Sequence, residues 1–274
     1  MTLREAVIRR ASGSPLQRML ILMLVMMVVA VLPAHAQTLA SRVARLGDGA
    51  VTFHFASRPG VCGDGEHFFR TGRHSYYGTF SEEYRERACV EGPVQVRITT
   101  RDAEVTRVQT YVGALRSRDG TDLGVVSAAE AASYLLGIAQ RGRSNASEKA
   151  ILGAVLADSA TVWPGLLAIA KDDENLTKGT RQDAMFWLSR YASAAIAGHP
   201  NDPFSDDESD SPDDDLKRHA VFVLSQLPHG DGVSELLKVA RSNVSTSVRS
   251  QAFFWLGQSG DPRALALFES VLKS

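Results

Sequence analysis

Two periods of apolar and polar residues divide the chain. Val51, Phe53 and Phe55 alternate with polar neighbours, as do Val94, Val96 and Ile98, and a β-branched and aromatic run follows from Val105 to Val112. A period of two is that of a half-buried strand. Thr100-Arg101-Asp102 lies between the last two segments, so they are expected to pair antiparallel. An amphipathic stretch from Leu39 to Leu46 precedes the first strand, and RPGVCGDG at 58–65, with glycines, a proline and an aspartate, reads as a loop.

From residue 127 the period becomes about 3.6. Ser127 and Glu130 have the spacing of a capping box, with Tyr134, Leu135 and Ile138 following on one face. The polar run 114–126, with Arg116, Arg118, Asp119, Gly120 and Asp122, marks the change. A small antiparallel β domain is therefore expected over 37–118 and a helical region over 119–274.

The helical region repeats itself. A basic residue, an apolar residue three later and a leucine four beyond that recur as Lys149-Leu152-Leu156, Arg181-Ala184-Leu188, Lys217-Ala220-Leu224 and Arg249-Ala252-Leu256. Phe186, Phe222 and Phe254 hold one place in the last three copies, and Trp187 and Trp255 the next. Amphipathic partners lie between, as Val233, Leu236, Leu237 and Ala240, and as Leu265, Phe268 and Leu272. Asp261 with Pro262 is a helix start, and Asp231 after Gly230 matches it one repeat earlier. A lone hairpin cannot hide a helix as apolar as Ala252 to Leu256, so the helices holding Ala184, Ala220 and Ala252 are expected side by side.

This pattern resembles HEAT repeats, especially the short type of phycobilin-lyase-like proteins, with FWLGQSGDPRAL at 254–265 as the helix–turn–helix core. It is also similar to exported bacterial HEAT proteins that carry an N-terminal RPGVCGDG segment. The resemblance spans about 127–274 and implies a mainly α fold: a HEAT-like α-solenoid of about four helical hairpins after the small β domain. It further implies that Lys149, Arg181, Lys217 and Arg249 either pair with acidic residues of adjacent repeats or form a basic stripe that receives an acidic partner. The segment 199–215, HPNDPFSDDESDSPDDD, departs from the pattern and reads as a solvated, mobile acidic insertion. It lacks the glycine and distal glutamate of an EF-hand loop, and the acidic end at 213–215 suits the helix start that follows.

Residues 1–36 read as a Sec-type signal peptide. Arginines at 4, 9, 10 and 18 precede an apolar run from Met19 to Leu32 and the small-residue site Ala34-His35-Ala36. The run is short for a membrane span, so a membrane association follows only if the segment stays uncleaved. Export to the periplasm or the medium makes a Cys62–Cys89 disulfide the preferred reading over two free thiols. The formal net charge of −1, more acidic still without the leader's arginines, argues against nucleic acid as a partner.

No catalytic motif emerges. The histidines lack zinc-hydrolase spacing, and a nucleophile elbow, a P-loop and a dinucleotide fingerprint are all missing. His67 and His74 lie close to Cys62, Asp64 and Glu66, a grouping that reads better as a polar hairpin than as a metal site. No cofactor or metal is implied. The expectation is a non-enzymatic extracytoplasmic scaffold that binds another protein or peptide. The alternative is a lyase-like HEAT protein that holds a small molecule near Arg181, Asp183 and Trp187.

Overall fold

The computed structural model describes residues 38–71, 75–78, 89–142, 144–199, 201–204 and 212–274. The signal peptide expected over 1–36, His74, and residues 205–211 of the acidic insertion lie outside them. Among the described residues no helix is long and apolar enough to cross a membrane.

Helix α1 (Leu39–Leu46) leads into strand β1 (Gly49–Phe55), which pairs antiparallel with β6 (Val94–Arg101). Strand β6 turns back as β7 (Glu104–Val112), and Asp102 and Ala103 both take positive φ in the two-residue turn between them. That geometry follows the right-handed twist of the flanking strands. The polar run beyond β7 contains an unexpected strand, β8 (Thr121–Val125), which adds parallel to β1 and completes the order β7-β6-β1-β8. A second small sheet holds β2 (Val61–Gly63), β3 (Phe68–Thr71), β4 (Ser75–Gly78) and β5 (Val90–Glu91) in the order β4-β3-β2-β5. Part of the expected RPGVCGDG loop is thus strand. Gly63 permits it, since a Cβ there would come within 2.5 Å of the Val112 carbonyl oxygen.

The sheets join the helices at Arg58. Just past β1, Arg58 N–H donates to Leu156 O and Asp158 N–H donates to Ala56 O. The Arg58 side chain is buried and satisfied by neutral groups: Nε donates to Val155 O (2.7 Å), Nη1 to Asn201 O (2.6 Å), and Nη2 to Ala160 O (2.6 Å) and the Tyr191 hydroxyl (3.1 Å). Taking a cation out of water costs several kcal/mol. Carbonyls at the C-terminal end of a helix, the negative end of its dipole, offset that cost, as does the Tyr191 ring 5.8 Å away. Burial raises the Tyr191 hydroxyl pKa and Asp202 adds to the rise, against the opposing pull of Arg58.

The helices are α2 (Ala128–Arg141), α3 (Asn145–Val155), α4 (Trp163–Lys171), α5 (Lys178–Ile196), α6 (Pro212–Ser225), α7 (Val233–Arg241), α8 (Thr246–Ser259) and α9 (Pro262–Leu272). Ser127 caps α2 as expected, but Glu130 does not close the capping box; its carboxylate accepts from the Leu39 N–H at the start of α1. Asp261 caps α9, with Pro262 at its first turn. Helix α7 begins one residue later than its counterpart: Gly232 holds the cap position with no side-chain bond, and Asp231 closes a short 3-10 turn.

The helices form two rows, and their order in space is not their order in sequence. The inner row runs α3, α5, α8, α6 and the outer row α2, α4, α9, α7. The repeat aromatics trace the inner row ring by ring: Trp187 to Phe186 (5.0 Å), Phe186 to Phe254 (6.2 Å), Phe254 to Trp255 (5.0 Å) and Trp255 to Phe222 (5.3 Å). A Cβ on Gly257 would fall 2.4 Å from Ser189 Oγ, so only glycine lets α8 lie this close to α5. On the other flank, Ser247 Oγ donates to Asp214 Oδ2 (3.3 Å) across the first turns of α8 and α6. Lys171 on α4 bonds Glu269 on α9 (2.6 Å), and with Lys273 it holds that carboxyl down to about 2. The helices of Ala184 and Ala252 are therefore neighbours, while the helix of Ala220 lies beyond the latter with Ala220 itself exposed. Buried side chains from Leu39 to Phe268 belong to one continuous core, and Leu39–Ser274 forms one compact unit.

The insertion is anchored at both ends. Phe204 is buried edge-on against Trp187 (5.7 Å), the Pro203 carbonyl accepts from Arg190 Nε, and 212–215 already belong to α6. Replacing Arg58→Met strands two buried carbonyls and the Tyr191 hydroxyl and should lower unfolding stability by about 3 kcal/mol. Arg58→Lys should recover only part of it, because an ammonium cannot span partners set so far apart. A urea titration in which Arg58→Met unfolds with the wild-type midpoint would contradict this role.

Candidate interaction site

The repeat's basic positions fall one per inner helix. Lys149 on α3 and Lys217 on α6 are exposed, while Arg181 on α5 and Arg249 on α8 are partly covered. Lys217 pairs with Asp213 on its own helix, and Arg249 Nε donates to Ala240 O (3.4 Å) at the end of α7. In space the order is Lys149, Arg181, Arg249, Lys217, set apart by the roughly 8–10 Å between packed helices.

Next to the first of them, desolvation, followed by the like charge of Glu148, raises the Asp183 carboxyl to about 6, against the pull of Lys149. Asp183 keeps over a third of its surface in water, so solvent screens much of this effect. Trp187 is closed into the core, and the Arg181 Nε is buried without a partner among the described residues.

The polar hairpin of the β region is held by hydrogen bonds. Asp64 Oδ1 accepts from the backbone N–H groups of Glu66 (2.9 Å), His67 (2.8 Å) and Phe68 (3.1 Å), and Oδ2 lies 3.3 Å from His67 Nδ1. Burial alone would raise the Asp64 pKa; these bonds outweigh it and lower it. Arg116 donates to Asp64 O (3.3 Å), and Arg118, stacked 3.4 Å over the Tyr111 ring, donates to Gly65 O and Gln95 Oε1. Cys62 is joined to Cys89 in a disulfide with Cα atoms 5.2 Å apart. Among the described residues no three His, Cys, Asp or Glu side chains gather as a metal site would require.

The free end of the inner row is different in kind. Leu216, Val223 and Leu227 are 70%, 50% and 42% exposed, and Ala220 between them is also open to water. Beside this stripe a cleft of about 640 Å³ opens where α6 and α8 end and α7 and α9 begin. Leu224, Leu227, Val233, Leu236 and Trp255 give it apolar walls, with Gln258 at its side. Its volume is that of a ligand or side-chain pocket. The Trp255 indole N–H is buried and has no acceptor among the described residues, a deficit of about 1–3 kcal/mol.

No family model, curated protein or solved structure matches the chain. The site is thus read from its geometry alone. Neither Arg181, Asp183 nor Trp187 lines the cleft. Sequence reasoning passed over the stripe; the 4-3-4 spacing of Leu216, Ala220, Val223 and Leu227 was the available signal.

Because the folded Asp183 binds its proton more tightly than the unfolded carboxyl does, the stability it adds is complete below about pH 4 and lost as pH rises through about 6. Asp183→Asn should therefore stabilise the protein at pH 8 by about 1 kcal/mol, the full shift discounted for exposure, and change nothing measurable at pH 4. Equal effects at both pH values in thermal unfolding would refute the shift.

Proposed function

We propose that this protein is an extracytoplasmic protein–protein interaction scaffold, a HEAT-like array whose free end takes a partner polypeptide. One observation carries the reading: an apolar stripe on α6 lies beside a cleft with apolar walls. Exposed aliphatic side chains gain from leaving water at about 25 cal/mol per Å², and a polypeptide supplies the apolar side chains that cover them.

The recurring helix pairs and their shared core support the HEAT-like assignment, with the fourth hairpin set between the second and third. The Cys62–Cys89 disulfide is compatible with an oxidising compartment and supports the extracytoplasmic assignment. The β region covers the α3 side of the inner row, so an added partner is best received at the α6 side.

The test is retention of partner polypeptide on immobilised protein exposed to the extracytoplasmic fraction of producing cells. Retention should disappear with the pair Leu216→Asp and Val223→Asp. Retention by this variant equal to that of the unmodified protein would refute the proposed site.

A further inference from the structure

The two halves of the disulfide sit in unlike surroundings. Cys62, on β2, keeps only 3% of its surface in water, whereas Cys89, just before β5, is half-buried. Arg70 lies directly opposite Cys62 in the β2–β3 register, and its Nη2 donates to Cys62 Sγ at 3.7 Å. We infer that Cys89 is a site of covalent thiol exchange: an external thiol attacks its sulfur, and Cys62 leaves as a thiolate held by Arg70.

Exchange requires a sulfur that can be reached and a leaving thiol of low pKa. Cys89 meets the first requirement, since its partner is closed off from water. Arg70 meets the second, because a thiolate beside an arginine titrates below the ordinary value of about 8.5. The guanidinium is also short of partners. Among the described residues its Nε is buried with no hydrogen-bond partner, and no carboxylate comes within ion-pair distance of it. A disulfide sulfur is a weak, uncharged acceptor, so the oxidised bridge leaves this cation poorly met and a thiolate would meet it. Arg58 differs in just this respect, for its donors end on carbonyl and hydroxyl oxygens.

Burial of Cys62 opposes the charge, and two carboxylates oppose it as well. Asp64 lies two residues along the chain, and Glu91 is opposite Cys62 on β5. Asp64 Oδ1 is taken up by the N–H groups of Glu66, His67 and Phe68, and Glu91 is exposed, where solvent screens it. Arg70 is in contact with the sulfur itself, and the nearer, less screened charge prevails. The chain can also open. Strand β5 has two residues, both exposed, at the edge of the smaller sheet, where it pairs with β2 through Cys62↔Glu91 and Gly63↔Val90. Little packing holds it once the bridge is cut.

The exchange balances without an outside oxidant. A thiolate of the attacking thiol forms a new S–S bond to Cys89 Sγ, the Cys62–Cys89 bond breaks, and its electron pair leaves on Cys62 Sγ. A second thiolate that attacks the mixed disulfide at the incoming sulfur carries that thiol away as a disulfide and leaves both cysteines reduced.

Glutathione added to the full-length folded protein, followed by acid quenching and peptide mass mapping, should place the adduct on Cys89. With dithiothreitol, Arg70→Gln should slow reduction about tenfold, and Arg70→Lys, which keeps the charge, should restore most of the rate. In the Cys89→Ser variant the Cys62 thiol, followed by the ultraviolet absorbance of its thiolate, should titrate below about 8.5 despite burial, and adding Arg70→Gln should raise it by about one unit. An adduct on Cys62, or on both cysteines alike, would overturn the assignment. So would reduction of Arg70→Gln at the unmodified rate, or a Cys62 thiol that titrates at or above the ordinary value. If Arg70→Gln does not fold, the position of the adduct on the unmodified protein still decides.

Discussion

A helix that is apolar on two sides must be covered on two sides. The stretch Ala252-Phe253-Phe254-Trp255-Leu256 places bulky groups around most of α8, and the structure gives that helix a neighbour on each flank, α5 and α6. Helix α6 is less demanding: its first half reads Asp213-Asp214-Asp215-Leu216-Lys217-Arg218-His219, mostly charged. The more apolar helix occupies the interior of the row and the more polar one its end. Phe204 against Trp187 fixes the start of the segment that follows α5.

The other end of the row depends on Arg58. Its guanidinium bonds to groups up to 143 residues away, gathering the end of β1, the end of α3, the following turn, α5 and the start of the insertion. With no acidic partner among the described residues, the cation is held by carbonyl dipoles and a phenol. The Asp64 turn and the stacked Arg118 serve the same end locally, and the disulfide closes the smaller sheet. The β region thus covers one flank of the helical rows, while the α6 flank keeps its apolar stripe in water.

Periodicity made the element types legible: the strands of residues 51, 94 and 105, the helices from 127 onward, the caps at Ser127 and Asp261, and the cysteine pair all read correctly from the chain. Spatial order did not. The repeat places Ala184, Ala220 and Ala252 in equivalent positions, but equivalence in sequence does not say which copies touch. That is decided by how much apolar surface each helix must hide, and by steric permissions such as Gly257 against Ser189, visible only in three dimensions. Strand β8 was missed because its exposed Thr-Asp-Leu-Gly-Val lacks an alternating pattern. The importance of Arg58 was missed because a buried arginine satisfied by carbonyls leaves no partner to find in the sequence. The basic positions were recognised as a set, and each falls on a different helix of the inner row.

The account therefore turns on which helix ends the inner row, a property that belongs to the protein whether or not a partner is present. Backbone amide hydrogen exchange on dilute protein measures it directly, since protection follows burial on both flanks. Amides of α8 should exchange at the slow rate of global unfolding and those of α6 much faster. Protection of α6 equal to or greater than that of α8 would place the third repeat inside the row and contradict the order on which the interaction site rests.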